Sequence, residues 1–267
     1  MRPARSTRST RTARTARSTR TARAAVVLAA VTLLTLVTGT AAAHPARTAD
    51  TPLPERMADT GGGSQLLTAE APDTGSTTGR LTWWDRRDGH WMAAGSSPAR
   101  FGAGGLTEGA TRRQGTSTTP TGLYDLPYAF GIAPAPAGTA YSYRPVTGAS
   151  WWCQDNASRD YNRWVEGLPA DCRAAEAERL ADYPEQYSLG MVIGFNYDRP
   201  VRGRGAGIFL HVNGAGATAG CVSVPADAMR TVLAWADPKR APHLAIGTAD
   251  GPTALTAVNR FGGTTKD

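Results

Sequence analysis

Only three of the 267 residues are cysteine, Cys153, Cys172 and Cys221, and an odd number cannot all pair with one another. Histidine is nearly as sparse. His44 lies in a polar segment, His90 in a candidate hairpin and His243 on a late apolar run, so no metal-ligand spacing emerges and no metal or cofactor is expected. No glycine-rich phosphate loop and no nucleic-acid-binding module is present, so no nucleic-acid partner is expected. The apolar stretch from Ala24 to Val37 is shorter than the ~20 residues a membrane-spanning helix needs. No internal repeat is evident. Acidic side chains are missing altogether from residues 1–43, where arginine recurs at positions 2, 5, 8, 11, 14, 17, 20 and 23.

That last absence reorders the charge count. Removing those eight arginines from the 29 Lys and Arg leaves 21 basic against 22 acidic side chains, so the formal +7 belongs to the N-terminal segment. A basic region, a short apolar core and a closing Ala41-Ala42-Ala43 read as a secretory signal over residues 1–43. An uncleaved signal anchor is the alternative; cleavage would leave no stable membrane anchor. A secreted location follows as an expectation. Residues 44–80 are rich in Pro, Thr, Gly and Ser, with Gly61-Gly62-Gly63, and are expected to form a disordered linker. Residues 81–250 are then the folded domain, and 251–267 a polar tail.

Export favours paired thiols. Cys153 and Cys172 flank one irregular segment and are the disulfide candidates, which leaves Cys221 free. The intervening Trp151–Trp164 stretch is unusually aromatic and is expected to pack beneath that bond; an aromatic platform for sugar rings is the other reading. Cys221 lies within the most informative stretch of the chain, Gly207-Ile-Phe-Leu-His211-Val-Asn-Gly-Ala-Gly-Ala-Thr218-Ala-Gly220-Cys221-Val-Ser-Val-Pro225. A thiol with a pKa of ~8.5 is only a few per cent ionised at neutral pH, and lowering it to about 6 takes roughly 3 kcal/mol. An imidazole that accepts the proton supplies this, and the ten-residue interval from His211 to Cys221 closes cheaply through glycines. His211 is thus the candidate base and Cys221 the candidate nucleophile, with Gly220 shaping the backbone around an oxyanion.

Around this site the pattern is mostly β. Leu81–Ala93 reads as a hairpin about Asp88-Gly89, and further strand runs occur at 122–126, 190–197, 207–212 and 243–247. Helices are expected at Asp171–Asp182 and at Pro225–Ala236. The residues alone indicate a mainly β sandwich or barrel with a few short helices.

Four ordered blocks resemble the L,D-transpeptidase (YkuD-type) catalytic domain: Thr119-Pro-Thr-Gly122, Tyr128-Ala-Phe-Gly131, Gly190–Tyr197, and His211 followed by Thr218-Ala-Gly220-Cys221. The resemblance implies a mixed β-sandwich and an enzyme acting on peptidoglycan stem peptides. It implies a thioester at Cys221, with His211 as base oriented by the Val212 carbonyl, Gly220 and Cys221 amides on the oxyanion, and Thr218 holding the loop. Asn213, Tyr128 and Arg204 are the candidate substrate contacts, the last within a loop that also carries Arg199 and Arg202; a solvated hairpin loop is the alternative reading of that cluster. Ala219 and Ser223 depart from the family's common His and Arg or Asn. A hydrolase on the same fold and a non-catalytic wall-binding module are the alternatives to cross-link formation.

Overall fold

In the computed structural model the residues described are 51–260. Eleven strands form one strongly curled mixed sheet, with three more in a small second sheet. In the first half of the large sheet, β1 (Gln65–Ala71) is hydrogen-bonded antiparallel to β2 (Thr78–Arg87) and parallel to β14 (His243–Thr248). β2 turns into β3 (His90–Arg100) through Asp88 and Gly89, at φ 49° and 84°. Two successive positive φ values suit the twist of a tight hairpin, and Asp-Gly adopts them readily. On the far side of β14 lie β5 (Thr119–Asp125) and β4 (Leu106–Glu108).

The sheet turns its corner at β3. That strand meets β13 (Val222–Val224) through a single register pair, Ser223 opposite Arg100. Beyond the corner come β12 (Phe209–Val212), β11 (Gly190–Val192), β6 (Ala129–Gly131) and β7 (Tyr143–Pro145). The two halves close on one apolar core, with Leu67, Leu81, Leu244 and Ile246 from the first and Met191, Leu210, Val222 and Val224 from the second. A four-residue helical turn, α1 (Leu53–Arg56), and the helix α2 (Ala226–Trp235) complete the domain. Helix α2 puts Met229, Val232 and Leu233 into the core, as its sequence spacing predicts. The fold is the mainly β, sandwich-type architecture expected.

Three expectations are corrected. Residues 51–80 are no disordered linker: Leu66, Leu67, Ala69 and Ala71 are fully buried on β1, between β2 and β14. Asp171–Asp182 is not one helix but two three-residue 3-10 turns, Ala174–Glu176 and Leu180–Asp182, on either side of a strand. Cys172 is bonded to Cys153, and Ala177–Arg179 forms β10, paired with β8 (Ser150–Cys153), which also pairs with β9 (Arg163–Glu166). The Ala/Glu/Arg composition favours helix, but the covalent tie and the Arg173–Asp155 ion pair at 2.7 Å prevail. The expected tail also packs, since Leu255 and Val258 are buried against Leu66 and Trp91. The expected signal segment and residues 261–267 lie outside the described residues.

Candidate active site

The four residues of β12 are all buried, and their side chains alternate between two regions. Leu210 and Val212 enter the main core, whereas Phe209 belongs to a second cluster with Phe130, Trp152, Tyr187 and Cys221. His211 faces the same side as Phe209 and meets Tyr187 edge-on, the ring centroids 5.4 Å apart. β13 runs parallel to β12, with Leu210 beside Val222 and His211 beside Ser223. Cys221, one residue before β13, therefore sits next to Phe209. The Phe209 N–H donates to its sulfur at 3.3 Å, and the thiol donates to the Gly207 carbonyl at 3.4 Å. Sulfur and imidazole share one face of two adjacent strands, and both line one cavity of about 390 Å³.

The loop between the strands is held from within. The Thr218 hydroxyl donates to the Cys221 carbonyl at 2.7 Å and accepts the Gly220 N–H at 3.1 Å. The Thr218 N–H donates to the Phe101 carbonyl, and its own carbonyl accepts from Ala103, both at 2.8 Å. Gly220 adopts φ +138°, and a side chain there would start 2.8 Å from Arg112 Nη2 and 2.9 Å from the Thr118 carbonyl. Only glycine fits that backbone and that gap. Its N–H, expected to face an oxyanion, is engaged by Thr218.

His211 Nδ1 lies 2.7 Å from the Val212 carbonyl. A carbonyl only accepts, so Nδ1 carries the ring proton and Nε2 keeps the lone pair. Burial pulls the imidazole pKa down to about 4, although the Val212 bond works in the other direction. The Cys221 thiol is pushed up to about 12, first by burial and then by the charge of Glu178; the Phe209 N–H and Arg112 oppose this. The resting pair is neutral thiol and neutral imidazole. This corrects the expected lowering of the thiol toward 6: both groups are buried, and for the thiol the pull of Arg112 is smaller than the desolvation it opposes.

The facing wall comes from the segment between β7 and β11. Gln154, Glu178, Tyr183, Gln186 and Tyr187 reach the cavity from it. Glu178 projects from β10, and the Tyr187 hydroxyl donates to it at 2.7 Å. Burial raises its carboxyl to about 7, with the Tyr187 bond acting the opposite way. Trp152, Tyr161 and Trp164 are buried beneath this wall, so the aromatic stretch is packing. The Cys153–Cys172 bond ties its two ends together, and Cys221 is the free cysteine.

The three candidate substrate contacts stand outside the cavity wall. The Asn213 side chain accepts from Ser223 Oγ at 2.8 Å, and Tyr128 packs edge-on against Trp164 at 6.4 Å. Arg204 contributes a backbone carbonyl that accepts from Arg112 at 3.1 Å. The cavity's own charged side chains, Arg112 and Glu178, were not singled out from sequence. Neither sits in a distinctive local pattern.

The family model described as the L,D-transpeptidase catalytic domain, YkuD, matches residues 74–248. The chain belongs to that family. Its match starts before the expected boundary at 81 and includes β2 entire. No curated protein matches the chain. Among solved structures, the chain is similar to that of Bdellovibrio bacteriovorus Bd1075, with 14% sequence identity and a TM-score of 0.34. That likeness covers 69% of this chain and 48% of the other, so the chain spans about half of the Bd1075 structure. The matched region is the family's catalytic domain, and it holds both His211 and Cys221.

Proposed function

We propose that this is a secreted peptidoglycan L,D-transpeptidase that works through a thioester on Cys221. The observation that carries the reading is the shared strand face: a free thiol and an imidazole with its Nε2 lone pair available, lining one cavity. Because both groups rest neutral, proton transfer accompanies attack rather than preceding it. As sulfur bonds to the carbonyl carbon of the third stem residue, its proton passes to His211 Nε2. The carbonyl oxygen, now anionic, takes a hydrogen bond from the Cys221 N–H. The C–N bond then breaks, and His211 returns the proton to the departing amine of the terminal D-amino acid. An acceptor amine attacks the thioester, loses a proton to His211, and leaves with the acyl group while the thiol is restored.

Hydrolysis is the second reading, since Ser223 stands where the family commonly has Arg or Asn and water would serve in the last step. Incubation of tetrapeptide muropeptides with wild type and Cys221→Ala tests both. Cross-linked dimers from wild type alone support transpeptidation, and released D-alanine without dimer makes the enzyme a carboxypeptidase. Unchanged muropeptides with both proteins, bound equally, would leave only a wall-binding module.

A further inference from the structure

Arg112 is a buried cation with no anion. It is 5% exposed, and no carboxylate lies within ion-pair distance of it among the described residues. Its donors divide in two. Nε donates to the Thr118 carbonyl at 2.7 Å and Nη1 to the Arg204 carbonyl at 3.1 Å, so the backbone at the two flanks fixes the plane of the guanidinium. Phe195 stacks beneath it, the ring centroid 5.6 Å from Cζ. Nη2 donates to no acceptor among the described residues, and it is the atom nearest the point where a Gly220 side chain would begin. No described side-chain nitrogen or oxygen is both shut off from solvent and unpaired. Nη2 therefore opens on the cavity that Arg112 and Cys221 both line.

Burying a guanidinium without a counter-ion is costly, and arginine cannot escape by losing its proton. Two neutral carbonyls and an aromatic face are incomplete compensation, so the site favours an anion from outside. The cavity's carboxyl, Glu178, belongs to the opposite wall and takes its hydrogen bond from Tyr187 instead. We propose that Arg112 is the carboxylate anchor of the cavity, binding the C-terminal carboxylate of the donor peptide while Cys221 attacks the bond before it. The peptide's identity rests on the function proposed above; the anion preference does not. The anchor also accounts for Ser223: with a guanidinium supplied by the β4–β5 loop, none is required beside β13.

Two alkylating agents of nearly equal size separate the inference from that reading. Iodoacetate carries a carboxylate and iodoacetamide does not, and the modification of Cys221 by each is followed by intact mass in the full-length protein. Wild type should favour iodoacetate, relative to a small free thiol, on the order of 10-fold or more, as a charge-assisted contact predicts. Arg112→Gln should abolish the preference, and Arg112→Lys, which keeps the charge, should recover part of it. Donor peptides ending in carboxylate or carboxamide form the second arm. There, kcat/KM of Arg112→Gln should fall on the order of 10- to 100-fold for the carboxylate donor only. Equal loss of both reagents' rates, or of both donors, would reduce Arg112 to a loop support and overturn the proposal. An iodoacetate preference that depends on Arg112, in an enzyme turning over neither donor, would uphold the anion site while refuting the peptidoglycan reading.

Discussion

The pH dependence of Cys221 alkylation separates a neutral resting pair from a preformed ion pair. With the thiol pushed up to about 12, the thiolate fraction near pH 7 is on the order of 10⁻⁵, against about 3% for an unperturbed cysteine at ~8.5. Iodoacetamide should then modify Cys221 roughly three orders of magnitude more slowly than a free thiol, and about tenfold faster per pH unit through the range in which the protein stays folded. Intact-mass kinetics under excess reagent, with Cys221→Ser as the blank, give the profile. Glu178→Gln should raise the rate above about pH 7, because the carboxylate there is the second cause of the thiol's elevation. A rate that is flat above about pH 6, followed by a second rise at high pH, would mean thiolate and imidazolium already paired. The argument from burial would then be wrong.

His211 should also make stability depend on pH. Its folded pKa of about 4 lies below the unfolded ~6.5, so the unfolded chain binds the extra proton between those values and stability falls as pH drops through that window. The loss approaches about 3 kcal/mol, and a His211→Gln variant should show a flatter denaturation midpoint over the same range. Thr218→Val removes the hydroxyl that serves both the Gly220 N–H and the Cys221 carbonyl; we expect a loss of about 1–3 kcal/mol by urea denaturation and a lower kcat. Replacing Cys153 and Cys172 by alanine opens a loop of 19 residues and should cost about 3 kcal/mol, with kcat/KM falling as the wall bearing Glu178 loosens. A double variant as stable as wild type would refute that assignment.

Several elements are legible because their signals are local. The Asp88-Gly89 turn, the Gly122 strand and the apolar run into His211 each carry their own punctuation, and α2 announces itself by a proline just before its first residue and a helical stripe. What was not legible depends on distant partners. β1 follows three glycines and a Pro/Thr-rich flank, so Leu66 and Leu67 resemble a stray apolar pair until β2 and β14 bracket them. The 171–182 segment has helical composition, and only the bond to Cys153 and the pairing of β10 with β8 override it. Arg112 is one of two adjacent arginines in a polar loop. Its role is visible only when the Thr118 and Arg204 carbonyls are seen to hold it. The ionisation of Cys221 is not legible for a related reason: the ten-residue separation speaks only to contact with His211, whereas the thiol's pKa depends first on how deeply it is buried.

The most direct test of a nucleophilic Cys221 is a trapped acyl-enzyme. The full-length protein, mixed with a carbapenem or a tetrapeptide donor and quenched in acid, should gain the mass of one acyl group, mapped by peptide digestion to Cys221 and missing from Cys221→Ala. Persistence of the adduct in Cys221→Ala, or turnover of donor by that variant at the wild-type rate, would contradict the account.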